Sequence, residues 1–318
     1  MPYLFKRLLG SVPLLLGICF LSFMIMHLAP GDPTLMFMDP SVSLQDLAQV
    51  RENLGLDKPI LVQFALWLKH LFQGDLGYSF VSGKPVIEAI LERFPATLFL
   101  SISSLILILC ITFPLGLISG YKKGSMFDDC VTVFSFIGLS IPTFWLGLVF
   151  ILFFSLELNW FPTSGYLDPG YQYSQWYVKL SNIGAHIFLP LLTIIVGGVA
   201  CLTRYHRFSI IQILNQDYIK AGRARGLSET RLLFKHSFKN AAMPIITILG
   251  MDLPSLIGGS YIIEFIFSWP GMGQLGVASV FSRDYPILMG MILFSSILII
   301  TGNLLADLAY KWVDPRVS

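Results

Sequence analysis

Charge is what this sequence has least of. Asp, Glu, Lys and Arg fill 13% of its 318 positions, whereas 55% are hydrophobic. A water-soluble domain carries about 25% charge. Half of that leaves too little polar surface to face water all round, so a lipid bilayer is the natural solvent. The formal net charge is only +2, and no global field points to nucleic acid. Cysteine is scarce as well. Cys19, Cys110, Cys130 and Cys201 lie within or at the edge of apolar runs, and none forms a C-x-x-C pair. Neither a disulfide framework nor a zinc site is signalled, and the four read as small apolar side chains.

The motifs of common chemistries are missing too. No Gly-x-x-x-x-Gly-Lys-Ser/Thr occurs, so the chain has no P-loop of its own. There is no Gly-x-Ser-x-Gly and no His-Glu-x-x-His. His27, His70, His186, His206 and His236 are scattered without ligand spacing. A metal site needs several convergent ligands, so these histidines read as boundary or packing residues and no metal site is expected.

What is abundant is uninterrupted apolar sequence. Charge-free runs occupy 8–29, 96–121, 130–156, 187–203 and 287–306, and a sixth run, 241–263, holds a single charge, Asp252. Each is long enough, or nearly so, to cross about 30 Å of hydrocarbon as a helix. The fourth is short and is expected to begin a few residues earlier. The first run follows Lys6 and Arg7 like a signal peptide, but its 22 residues exceed a signal core and no small-residue cleavage site follows. It is read as an uncleaved span. The chain is thus expected to be an all-α membrane protein, one domain over 1–318 with six transmembrane helices.

Six spans put both termini on one side. The termini and even-numbered loops carry fourteen Lys and Arg, against seven in the odd-numbered loops. By the positive-inside rule the termini and segment 204–240 are expected in the cytoplasm. Segment 30–95 should then lie outside. Ser43 can cap a helix that stops at Gly55, Pro59 can start a second with Ile60, Phe64, Trp67, Leu68 and Leu71 on one stripe, and 84–94 suits a third. Together these predict a small extracytoplasmic helical cap between spans one and two. Segment 157–186, rich in Tyr, Trp, Gly and Pro, and segment 264–285 read as outer loops.

Segment 204–240 carries eight basic and two acidic residues. Helix formers run from Ile210 to Arg225, Gly226 interrupts them, and Ser228 can cap a second short helix over 229–236, with Leu227 and Leu232 as a hydrophobic staple. Ala221, Gly222, Ala224 and Gly226 are small enough for close approach by another surface, and Leu232, Leu233 and Phe234 offer an apolar face. Such a basic helix-Gly-helix suits docking of a partner. Equally, the charges can serve only to fix topology and touch anionic lipid head groups. Asp252, the one acid within an apolar run, has two readings as well: a lining residue of a translocation path, or a buried carboxylate bonded to a neighbouring helix near the kink at Pro254.

The run Asp217-Tyr218-Ile219-Lys220-Ala221-Gly222-Arg223-Ala224-Arg225-Gly226-Leu227 resembles the cytoplasmic signature of ABC importer permeases. Lys220-Ala221-Gly222 stands at its Glu-Ala-Ala, Gly226 at its glycine, and His236-Ser237-Phe238-Lys239 where Ile-x-Leu-Pro would be. The Glu, the second Ala and the Pro of that signature are therefore absent. Further similar stretches span nearly the whole chain. They include Ala29-Pro30-Gly31-Asp32-Pro33, Gly55-Leu56-Asp57-Lys58-Pro59, Gln73-Gly74-Asp75-Leu76-Gly77, Pro142-Thr143-Phe144-Trp145-Leu146-Gly147 and Trp160-Phe161-Pro162-Thr163-Ser164-Gly165. Glu264-Phe265-Ile266-Phe267-Ser268-Trp269-Pro270-Gly271 and Arg283-Asp284-Tyr285-Pro286 complete the set. Each is weak alone; in order they are specific. The chain resembles the permeases of the dipeptide/oligopeptide/nickel family, most closely the first permease of oligopeptide and dipeptide systems.

That resemblance implies a type I ABC importer permease fold and a non-enzymatic subunit of an ATP-driven importer in the cell membrane. It implies a homologous second permease, two ATPase subunits that bind the ATP and Mg, and an extracytoplasmic solute-binding protein. Lys220, Ala221, Gly222, Ala224, Gly226, Leu227, Leu232 and Phe234 would form the ATPase-coupling element, and Asp252 is the candidate for the path. The same architecture could carry nickel, a metal chelate or a sugar instead of di- or oligopeptides; the scarcity of clustered His and Met in the spans favours peptide. A self-contained secondary transporter should show several intramembrane acids, and a membrane enzyme a convergent polar constellation; the sequence shows neither.

Overall fold

The computed structural model describes residues 2–28, 55–238, 240–241 and 261–313. Asp252, the Ser43 helix, the Ala29–Pro33 stretch and nearly all of the fifth run, 242–260, lie outside them. Among the described residues every regular element is helical, and the one β-type contact is an isolated bridge between Tyr78 and Pro85.

The first apolar run forms α1 (Pro2–Leu28). After Pro59, whose ring presets the first turn, α2 (Ile60–Phe72) follows. It lays Phe64 against Phe20 and Phe23 of α1, with ring centroids 5.2 and 5.3 Å apart. The expected short helix over 84–94 and the second span are one continuous helix, α3 (Val86–Tyr121). Pro95 and Pro114 both lie inside it without ending it.

The third run departs from expectation. It is two helices, α4 (Met126–Ser140) and α5 (Thr143–Phe150), bent by 97° with respect to each other; α5 runs on as a π-helical turn, Ile151–Glu157. Pro142 lacks an N–H and disfavours helical geometry in the residue before it. Ile141 is accordingly extended (φ −88°, ψ 123°) and Pro142 begins the next helix. The fourth run starts earlier than expected and runs further: α6 (Trp176–Leu214) has 39 residues. Then come α7 (Asp217–Ala224) and α8 (Glu229–Arg231), which continues as a π-helical turn, Leu232–Ser237. After the undescribed stretch stand α9 (Tyr261–Ile266), α10 (Met272–Ser282) and α11 (Tyr285–Val313).

The spine of the molecule is the pairing of α3 with α6. A Cβ added to Gly198 would come 2.4 Å from Ile108, one on Gly116 2.7 Å from His206, and one on Gly120 2.7 Å from Ile210. Every such pair is offset by the same number of residues, so the two helices run parallel and in register. Leu100, Ser104, Ile108, Thr112, Gly116 and Gly120, every fourth residue, are buried on α3. This stripe of mostly small side chains lets the backbones approach as membrane helices do.

Directions follow from the ends. Val86 and Ile90 at the start of α3 pack with Ile287 and Met291 at the start of α11, so those helices run together. Cys19 and Phe23 of α1 pack on Met289, and the His27 ring lies 5.1 Å from that of Tyr285, so α1 runs against them. The start of α1, the ends of α3, α6 and α11, and the α7–α8 segment therefore share one end of the bundle, which also carries Lys122 and Lys123. Among the described residues four helices are long and apolar enough to cross a membrane, or up to five if the bent pair counts as one span.

Candidate functional site

At the basic end the chain between Asp217 and Ser237 folds into a closed helix-Gly-helix. Asp217 sits in the first turn of α7, where a carboxylate favours the helix N-terminus. Lys220 Nζ donates to its Oδ1 at 3.0 Å. The helix ends in a Schellman motif: the Leu227 N–H donates to the Gly222 carbonyl at 3.2 Å and the Gly226 N–H to the Arg223 carbonyl at 2.9 Å. Gly226 is the left-handed residue this closure needs, at φ +78°. Ser228 then caps α8, its hydroxyl accepting from the Arg231 N–H. Arg223 clamps the two arms through a forked pair with Glu229, Nε to Oε1 at 2.7 Å and Nη2 to Oε2 at 3.1 Å. The bond to Arg223 holds the Glu229 carboxyl below its usual range, and the same bond raises Arg223.

The eight residues expected to couple do come together, but they divide by role. Gly222 and Leu232 are buried against each other: a Cβ on Gly222 would stand 2.7 Å from Leu232 Cδ2 and 3.4 Å from Leu227 Cδ1. The small residue at 222 thus makes room for the chain's own Leu232 and not for another surface. Lys220, Ala221, Ala224, Gly226 and Phe234 are exposed, and Phe234 is 59% accessible despite being aromatic. With Tyr218, Arg225 and Arg231 they form an outward face of small and aromatic residues rimmed by positive charge.

The other face is seated on the bundle. Leu233 and Phe238 pack against Leu117 at the end of α3 and Ile210 near the end of α6. The Phe238 ring also meets those of Phe113 (5.3 Å) and His206 (5.9 Å) edge-on. A push on the outward face therefore reaches both helices of the spine. Asn240 Nδ2 donates to the Tyr218 hydroxyl at 2.9 Å, tying the exit of the segment back to its entrance.

At the opposite end the structure brings out residues that the sequence had presented only as motif letters. Trp269 is fully buried among Leu100, Ile183 and Ile187, and its indole N–H donates to the Ala96 carbonyl at 2.9 Å. Glu264 is fully buried and accepts the Gly273 N–H at 2.6 Å at the start of α10, while the Met272 N–H donates to Thr97 Oγ1. Asp284 accepts from the Ser79 hydroxyl at 2.5 Å and the Phe80 N–H at 3.1 Å, pinning the 79–82 turn to the start of α11. A hollow of about 400 Å³ lies beside the α4–α5 bend, lined by Thr143, Phe144, Tyr261, Ile262 and Ile263. Glu264 and Asp284 carried a signal, an acid beside an apolar run, but nothing in the sequence names their partners.

Residues 112–318 match the family described as binding-protein-dependent transport system inner membrane component, and residues 1–101 match that described as binding-protein-dependent transport system membrane component, N-terminal. The oligopeptide transport system permease protein AppB of Bacillus subtilis is 46% identical over 99% of both chains. The glutathione transport system permease protein GsiC of Salmonella paratyphi A is 37% identical over 99% of this chain and 98% of its own. Among solved structures, the MetNI methionine ABC transporter in inward-facing conformations shares the fold with TM-score 0.56 at 17% identity, over 72% of this chain and 97% of the matched chain.

Proposed function

The chain belongs to the family of binding-protein-dependent transport system inner membrane components, and from that premise we propose that it is the permease subunit of an ATP-driven importer of di- and oligopeptides. The observation that carries the coupling part of this reading is the closed segment 217–237. It is rigid by its own Schellman turn and Arg223–Glu229 clamp, exposed on one face, and seated by the other on the ends of α3 and α6. A partner ATPase that moves against Ala221, Ala224, Arg225 and Phe234 would move the spine. The cargo follows from the relatives named for oligopeptide, glutathione and peptide transport.

In this reading the basic end faces the cytoplasm and the segment is the coupling element for two ATPase subunits, which hold the ATP and Mg. A homologous second permease completes the path, with Asp252 as a candidate lining residue, and an extracytoplasmic binding protein delivers peptide at the opposite end, where α2 and the turn at 79–82 form part of a cap. Six spans are supported by continuity: Ala241 packs at the basic end, with Leu117 and Ile210, while Tyr261 packs at the other, with Val86 and Ile287.

Reconstitution of the four kinds of subunit in nanodiscs tests it. Binding protein loaded with peptide should stimulate ATP hydrolysis severalfold over empty binding protein. Stimulation by nickel-loaded but not peptide-loaded protein would reassign the cargo, and transport by the chain in the absence of any ATPase would sink the reading.

A further inference from the structure

Asp128, the third residue of α4, is 1% exposed although it lies beside the solvent-facing turn of Lys122 and Lys123. Its carboxylate accepts four hydrogen bonds. Arg207 of α6 donates through Nε to Oδ1 at 2.5 Å and through Nη2 to Oδ2 at 2.8 Å. The Ser119 hydroxyl, on the last turn of α3, donates to Oδ1, and the Gly124 N–H, in the α3–α4 turn, donates to Oδ2 at 2.9 Å. Every lone-pair site of the carboxylate is taken. A single side chain thus ties together the end of α3, the turn, the start of α4 and the last turns of α6.

Stability alone is a poor account of such a group. A buried ion pair contributes little net free energy compared with well-packed apolar side chains, because both charges lose their water. The forked geometry does supply direction: two parallel bonds resist rotation as well as separation. Its position is specific too. Arg207 is followed one turn later by Ile210, against which Leu233 of the 217–237 segment and Phe238 just after it pack. On the other side α4 leads directly to the 97° bend and the hollow lined by Thr143 and Phe144. The glycine contacts already hold α3 to α6; the first turn of α4 is what the pair adds to that body.

We propose that the Asp128–Arg207 pair is a positioning joint, which makes the first turns of α4 follow the end of α6 and so carries displacement of the 217–237 segment to the bent span. This rests on the reading of that segment as the ATPase-docking element. Neither residue touches nucleotide or cargo; both act by holding α4.

The test uses the whole reconstituted importer and three readouts: co-purification of the ATPase subunits, ATP turnover with peptide-loaded binding protein, and peptide taken up per ATP. Arg207→Lys keeps the charge but loses the fork, and Asp128→Asn keeps the shape but loses the charge. Both should retain the ATPase subunits, while uptake per ATP falls about threefold or more, as expected for a residue that carries coupling free energy. Should Asp128→Asn fail to fold, Ser119→Ala, which removes one bond and leaves the ion pair, together with Arg207→Lys decides the matter on the same ratio. If these variants lower only the yield of complex, and uptake per ATP in the assembled fraction equals that of wild type, the pair is a structural contact and the proposal is overturned. A wild-type chain that binds no ATPase subunit overturns the docking reading instead, a separate result visible before any variant is made.

Discussion

A Cβ on Gly222 would stand 2.7 Å from Leu232 Cδ2, whereas one on Gly226 would meet nothing within 4 Å. The two glycines stand four residues apart in one signature and serve different ends. Gly226 is there for its backbone: at φ +78° an L side chain costs about 1–2 kcal/mol, and Asn bears that conformation better than Ala. Gly226→Asn should therefore be milder than Gly226→Ala, in thermal unfolding of the detergent-solubilised chain and in ATP-coupled uptake alike. The opposite order, with the smaller residue milder, would mean that the position clears space for a partner. Gly222 is there for volume. Gly222→Ala should cost about 1–3 kcal/mol by overpacking, and Leu232→Ala should relieve it, so that the double variant is less damaged than the sum of the singles by at least about 0.5 kcal/mol. The sequence announced both residues as small but could not say which was small for its own chain. That distinction lives in the packing of Leu232, ten residues beyond Gly222 across the turn and the cap.

At the scale of elements, proline shows where the sequence stops being legible. Pro114, Pro142 and Pro190 all lie in apolar runs, yet two sit inside continuous helices and Pro142 breaks one. The residue before does not tell them apart: β-branched Ile141 is extended ahead of Pro142, whereas Pro13 follows the β-branched Val12 inside the continuous helix α1. The turn after α9 raises a further question of charge. Burial pushes the Glu264 carboxyl up to about 6, against the pull of the Gly273 N–H and the Thr97 hydroxyl. Its folded pKa is raised, so the stability it contributes is full below about pH 4.5 and is lost as pH rises through about 6, a loss of roughly 2 kcal/mol at 1.36 kcal/mol per unit. Glu264→Gln removes that loss. Its thermal midpoint should exceed that of wild type at pH 7.5 and approach it near pH 4.5. A variant less stable than wild type at every pH would show instead that the start of α10 requires the ionised carboxylate.

For the molecule as a whole, the apolar runs and the charge bias made the membrane and the shared side of the termini legible from the sequence, because both are sums over many residues. The packing of those runs was not legible, because it depends on which faces meet. The structure adds direction. Helices α3, α6 and α11 run the same way and α1 runs against them. Successive parallel helices require a return between them, which the bent α4–α5 pair makes once, from the Asp128 end to the Phe150–Phe161 end beside Leu189 and Ile263. A second return is required between Ala241 and Tyr261. An odd number of crossings (α3, the return and α6) then places the turn at 79–82 and the segment 217–237 on opposite sides, whatever the bend does in between. In a background with the four native cysteines replaced, Ser82→Cys should react with an impermeant maleimide added to intact cells, and Thr230→Cys only after the membrane is opened. Labelling of both from one side would require an even number of crossings between them, which the parallel packing of α3 and α6 forbids; labelling in the reversed sense would keep the parity and turn the importer over, stranding the basic segment where no ATPase can reach it.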